Sequence, residues 1–150
     1  MADPFWKLCW KMDLDGVRLA LQSEHIDVNS RDRDGRTGLM WAFIRSRFNQ
    51  LKCNPVAMLI LNHPSIDVSL RSNSGNTALF FAAKNRENYK HILVDDNDVD
   101  PNIKNSDGDS AVMLAVKTRD MVLIKLLLAD PRVDLDTRDD CKRSKEKIAR

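Results

Sequence analysis

At 150 residues, 43% hydrophobic and 31% charged, the chain has the size and composition of one globular domain and too much apolar content for disorder throughout. Its formal net charge of +2 is too small to announce a nucleic-acid or membrane partner. The longest aliphatic run, "VAMLIL" at 56–61, is far too short to cross a bilayer, and Asp3 stands where an export signal would carry basic residues.

The first expected element is a helix opened by "DPFWKL" at 3–8, with Asp3 as its cap and Pro4 at the first helical position. Phe5 and Trp6 on it read as cover for the end of a core. A polar, turn-rich stretch then runs from "HIDVN" at 25–29 to Gly35, which suits a positive φ, and Thr37, which suits a helix cap. The apolar run "GLMWAF" behind Thr37 reads as a short buried helix, with Trp41 packed between units. Residues 45–55, "RSRFNQLKCNP", form an insertion best placed as a surface loop before a second helix, "PVAMLILNH" at 55–63. The same sentence recurs as "SIDVS" at 65–69, Gly75, Thr77, "ALFFAA" and "NYKHILVDD". It recurs again as "DVDPN" at 98–102, Gly108, Ser110, "AVMLAV" and "MVLIKLLLA". A last, degenerate copy follows "RVDLD" at 132–136 as "CKRSKEKIA" at 141–149, with Lys142 in the place of the glycine.

The three glycines are spaced 40 and then 33 residues apart, and the acidic-valine phrase keeps the same phase. A turn followed by two short helices cannot bury its own apolar face. Such a unit must stack on a copy of itself.

These phrases carry a family resemblance. "GRTGLMWA", "GNTALFFA" and "GDSAVMLA", each with its "DV"-type partner, resemble the ankyrin repeat and its G-x-T-P-L-H-x-A pattern over nearly the whole chain. The resemblance implies an all-α solenoid of stacked helix–turn–helix units joined by hairpin-like loops, as one domain over 1–150. It divides the chain into an N-terminal cap (3–29), repeats at 30–69, 70–102 and 103–136, and a half repeat at 137–150 that either closes the stack or continues into a larger chain. The sequence departs from the pattern where the family histidine is Met40, Phe80, Met113 and Lys147, and where the family proline is Gly38, Ala78 and Ala111.

Little else invites chemistry. Asp96, Asp98, Asp100, Asn102 and Asp107 fall at positions 1, 3, 5, 7 and 12 of a calcium loop, but the sixth position, which needs glycine, is Pro101. His25, His63 and His91 show no metal spacing, and there is no nucleophile elbow or phosphate loop. No catalytic residue, cofactor or metal is expected. Cys9, Cys53 and Cys141, odd in number and scattered, suit reduced thiols in the cytoplasm or nucleus.

The resemblance implies a protein–protein interaction module, a monomer or part of a larger chain, that docks a partner protein or peptide on its concave face and hairpin tips. Carried over by position, the tips offer Arg33, Arg36, Asn73, Asn76 and Asp109. The inner-helix ends offer Trp10, Lys11, Ile44, Arg45, Lys84, Asn85, Lys117 and Thr118. None of these is demanded by the repeat pattern, which is why they stand out. Charge alternates along the chain: +3 over 31–47, −5 over 95–109 and +3 over 138–150, which suits an extended partner of alternating charge and works against nucleic acid. A spacer or regulatory segment of a longer protein is the alternative, followed by a nucleic-acid or small-molecule binder using Trp10, Lys84 and Lys117. Asparagines at the "DVN" position of this family can be hydroxylated, which makes Asn29 a candidate.

Overall fold

The computed structural model describes residues 3–46, 54–85 and 100–134. Among them are seven helices: α1 (Phe5–Lys11), α2 (Leu14–Leu21), α3 (Gly38–Ser46), α4 (Pro55–Leu61), α5 (Ala78–Asn85), α6 (Ala111–Thr118) and α7 (Met121–Ala129). The only extended pairing among these residues is a single antiparallel bridge, Arg31 with Thr37. None of these helices is long and apolar enough to cross a membrane. The expected "NYKHILVDD" helix, the half repeat at 137–150 and most of the 45–55 insertion lie outside the described residues.

Three helix pairs are complete within this set: α1 with α2, α3 with α4, and α6 with α7. The first helices stack in one row, α1 on α3, α3 on α5 and α5 on α6, while α2 packs on α4. This is the all-α solenoid expected from the repeats. Each inner helix in the middle of the row has a neighbour on both sides, which is why its apolar run is nearly unbroken rather than amphipathic. Leu39, Phe43 and Leu79 are buried there, as are Val112 and Ala115 on α6 at the end of the row, and Ala42, Ala82 and Ala83 let the backbones approach closely. Met40, Phe80 and Met113, at the family's histidine position, are also buried. They fill that site with apolar volume, each side chain contributing on the order of 1.5–3 kcal/mol by leaving water.

The glycine turns are as expected. Gly35, Gly75 and Gly108 have φ of 73°, 76° and 79°, the left-handed region that costs glycine nothing. Behind them the hydroxyls of Thr37 and Ser110 accept from Met40 N and Met113 N at 3.4 Å, capping α3 and α6.

One expectation fails. Asp3 does not cap α1; Pro4 holds the cap position in extended geometry, with no side-chain bond to the helix amides. Asp3 lies one residue too early, and its carboxylate instead accepts from Lys7 Nζ at 2.9 Å and Lys11 Nζ at 2.6 Å. Phe5 is buried as expected, whereas Trp6 is only half-buried.

The second helices have caps of their own. Asp13 Oδ1 accepts from Gly16 N at 2.9 Å, and Asp120 Oδ1 accepts from Leu123 N at 3.1 Å. Buried Asn54 does more: its Oδ1 accepts from Val56 N and Ala57 N, and its Nδ2 donates to Ala42 O at 2.7 Å, tying α4 to α3. In the first and last pairs the helices are joined through a left-handed residue, Met12 (φ 56°) and Arg119 (φ 54°).

Candidate functional site

The hairpin tips are built from the same parts three times. Asp32, Ser72 and Asn105 each start a turn closed by a backbone bond from their own N–H to Arg36 O, Asn76 O and Asp109 O, at 2.9–3.0 Å. Their side chains brace the turn from within. Asp32 Oδ1 accepts from Asp34 N and Arg36 N at 2.8 Å, Asn105 Oδ1 accepts from Asp107 N and Asp109 N at 3.0 Å, and Ser72 Oγ accepts from Asn76 N.

Successive tips are then bonded together. Asn73 N donates to Asp34 O at 2.9 Å and Ser106 N to Ser74 O at 3.0 Å. Arg31 spans its own Gly35 O and the Arg71 carbonyl, and Arg71 repeats the move from Gly75 O to Lys104 O. A charge-assisted donor on each carbonyl makes the row of tips stiff.

This bonding corrects part of the sequence reading. Asn73 donates to Arg33 O at 3.2 Å, Asn76 Oδ1 accepts from Asn105 Nδ2 at 3.0 Å, and Asp109, 9% exposed, is clamped by Lys117 Nζ at 2.6 and 2.5 Å. The fold therefore uses Asn73, Asn76, Asp109 and Lys117, contrary to the expectation that it needs none of the chosen positions. Lys11 is likewise tied to Asp3, whose carboxyl is held down at about 2 by hydrogen bonds from Lys11 and then Lys7. Thr118 Oγ1 donates to Leu114 O within its own helix, and Asn85 Nδ2 donates to Phe43 O, joining the ends of α5 and α3. At the first tip Arg36 lies over the Trp41 ring, 5.1 Å from its centre, and reaches Asp34 at 3.3 Å, while Arg33 is exposed. Trp41 packs against the core along part of its surface and donates its indole N–H to Asp32 Oδ2 at 2.8 Å.

What remains on the inner-helix ends is compact. Trp10 is 41% exposed on α1, and Arg45 of α3 places its guanidinium over the ring at 6.0 Å. Ile44, next to Arg45 in sequence, is partly buried, and Lys84 of α5 is exposed with no ion pair among the described residues. By repeat register Trp10, Ile44, Lys84 and Lys117 occupy one row, and Lys11, Arg45, Asn85 and Thr118 the next. The structure brings Trp10 and Arg45 together and stacks the helices that carry Ile44 and Lys84 beside them.

Two further features lie away from this row. Asn29 joins two units through its amide: Nδ2 donates to Ser65 O at 2.9 Å and Oδ1 accepts from Asp67 N at 2.9 Å. Asn102 repeats this with Arg132 O and Asp134 N, both at 2.7 Å, so the centre of the calcium-like sequence serves as an inter-unit brace. Asp96 and Asp98 of that sequence, with His91, lie outside the described residues. An open groove of about 380 Å³ between the ends of α2 and α4 is lined by Leu21, Gln22, Ile26, His63 and Pro64 among others.

A family model for ankyrin repeats, in three copies, matches residues 7–105. The chain belongs to the ankyrin repeat family. Ankyrin repeats are in general protein–protein interaction modules and in general not catalysts. A search of curated proteins finds no match to the chain.

Sequence reasoning missed the turn anchors Asp32, Ser72 and Asn105 and the helix caps Asp13, Asn54 and Asp120. Both had a signal: a short polar side chain three residues before each glycine, or directly before a second apolar run.

Proposed function

We propose that this ankyrin stack docks a partner protein on the ends of its inner helices, centred on α1, α3 and α5. One observation carries the reading: Trp10 keeps 41% of its surface in water while a cation from the next unit lies over its ring. An aromatic left half in solvent at the end of a stacked row is the kind of anchor that dominates interface energy once a partner desolvates it. The tips support this surface by holding the units in fixed register through bonds between neighbours. Recognition then needs little ordering on this side, which favours affinity.

A reducing compartment, cytoplasmic or nuclear, belongs to the same proposal. Cys9 is a free thiol buried against the core, and burial pushes it up to about 12, which suits a packing role rather than a redox one.

The test is affinity capture from cell lysate with mass spectrometry, comparing wild type with Trp10→Ala and Lys84→Glu after circular dichroism shows equal folding. Loss of the same protein from both variants is the expected result. Equal capture by all three would move the docking surface off the inner-helix ends.

A further inference from the structure

We infer that the edge of α7 formed by Met121, Ile124 and Leu128 docks a short helix of a partner protein, one with an apolar stripe bordered by carboxylates. This edge lies on a second helix, apart from the inner-helix ends, and does not rest on the function proposed above.

The first and last described helix pairs are built alike. In both, the helices are joined through a left-handed residue, Met12 or Arg119. The next residue, Asp13 or Asp120, caps the second helix by accepting from the amide three residues further on. From these caps α2 and α7 align residue for residue, so that Leu14, Val17 and Leu21 of α2 correspond to Met121, Ile124 and Leu128 of α7. Their i, i+3, i+7 spacing makes each set one stripe of a helix.

The two stripes differ in what covers them. α4 packs on α2, where Val17 is fully buried and Leu14 and Leu21 pack partly buried against the core. On α7 the counterparts Met121 and Leu128 are 59% and 45% exposed, with Ile124 partly buried between them. The rest of α7 is seated normally, since Leu123 and Leu127 are buried. The stripe that α2 gives to the next second helix is therefore open on α7. Lys125 is the one polar residue among the nine of this helix, a composition that suits a helix covered on most sides. Residues 137–150 offer no run like that of α4, for their only apolar members are Cys141, Ile148 and Ala149.

The occupant is accordingly the kind of element that sits on α2, a short helix with an apolar stripe. Lys125 sets its charge. It stands four residues after Met121 and three before Leu128, which puts it at the border of the stripe. It is exposed and forms no ion pair among the described residues, so a carboxylate beside the incoming apolar stripe complements it. A second copy of this chain fits less well. Two nine-residue helices, each ~14 Å long, would bury far less than the ~800 Å² per partner of a stable interface. They would also bring two copies of Lys125 into one small contact.

The probe is a fluorescently labelled, hydrocarbon-stapled helix of ~15 residues, stapled so that its ordering cost is met in advance. It carries leucines at i, i+3 and i+7 with glutamates beside them, and is read by anisotropy against the full chain. Control probes change the leucines to Ser or the glutamates to Lys. The acidic leucine helix is expected to bind, the Ser helix not to bind, and the Lys helix to bind more weakly. Leu128→Glu should weaken binding about tenfold or more, by placing a charge on the apolar edge. Met121→Glu should do the same, and serves in its place if circular dichroism shows Leu128→Glu misfolded. Lys125→Glu should weaken it about threefold to tenfold, whereas Arg18→Glu, at the matching position of α2, should leave it within about twofold.

No binding of the acidic leucine helix, equal binding by folded Leu128→Glu or Met121→Glu, or preference for the Lys helix overturns the inference. Sedimentation velocity of the chain alone supplies the remaining outcome. A monomer is expected, and a dimer that Leu128→Glu dissolves would overturn the inference by giving the edge to a second copy.

Discussion

Gly38 is the first residue of α3, where ankyrin repeats carry proline, and replacing it with proline should destabilise this chain rather than stabilise it. Two effects compete. Proline suits the first turn of a helix and removes freedom from the unfolded chain, a gain of roughly 0.4–1 kcal/mol where the site accepts it. Here a Cβ on residue 38 would lie 2.8 Å from Cys9 Sγ and 3.1 Å from two carbons of the Phe5 ring. Those groups are 0% and 1% exposed, so neither can swing out of the way. Overpacking of this kind costs about 1–3 kcal/mol. Sterics win, and Gly38→Pro should cost a net ~1–2 kcal/mol, or a fall of ~2–8 °C in Tm for a chain of this size. Urea denaturation of Gly38→Pro, Cys9→Ala and the double variant gives the decisive cycle. Removing Sγ opens the space the ring of proline needs, so the cost of Gly38→Pro should drop by at least ~1 kcal/mol in the Cys9→Ala background. A stabilised single variant, or an identical cost in both backgrounds, would show that the contact between α1 and α3 does not select the glycine.

Asn54→Ala should cost ~2–3 kcal/mol, because it strips a cap and leaves Ala42 O and two amides of α4 without the partner they have now; a urea midpoint shift worth less than ~1 kcal/mol would contradict that. Cys9, buried and raised to about 12, should resist iodoacetamide at mild alkaline pH until the protein is unfolded in urea, and prompt native-state alkylation seen by mass spectrometry would refute its burial. Asp3 has its folded-state value depressed from 3.8 to about 2, so its contribution is present above the ordinary carboxylate value and is lost as pH falls toward 2. A carbon-detected NMR titration should place its midpoint near 2, and a midpoint near 4 would mean that Lys11 and Lys7 do not hold it.

The repeat phase made the inner helices legible, because glycine's positive φ and the hydroxyl cap are local requirements that leave local traces. Gly35, Gly75 and Gly108, with Thr37 and Ser110, needed no knowledge of the neighbouring unit. Met12 and Arg119 show the opposite case. They take left-handed geometry because two helices must reverse within a residue or two, and nothing in a methionine or arginine announces it. The amides of Asn29 and Asn102 fall between these cases. Their "DVN" and "DPN" phrases were visible, but a side chain that both donates and accepts across the gap is meaningful only once the next unit is in register. The candidate site suffered most from this, since side chains eight residues apart, such as Asp109 and Lys117, meet only after the hairpin and helix have formed.

The same point changes the argument about charge. Read along the chain, an excess of arginine near 31–47 and of aspartate near 95–109 suggests a partner of alternating charge. In the folded stack Arg31 is bonded to two backbone carbonyls, Asp32 braces a turn and holds an indole, Asp100 accepts from Asn102 N, and Asp109 is paired with Lys117. These charges build the repeat joints, and a ligand meets them already partnered. Formal balances over a window therefore overstate the field at the surface. The charges that carry over to recognition are the ones the joints do not use, and among the chosen positions Lys84 meets that description most plainly. A ligand recognised there should respond to Lys84→Glu far more than to Arg31→Glu at matched stability. Arg31→Glu should instead appear as a loss of stability, because it breaks the brace between the first two tips. If Arg31→Glu weakened binding as much as Lys84→Glu in a chain that stayed equally folded, the division between joint charges and surface charges would be wrong.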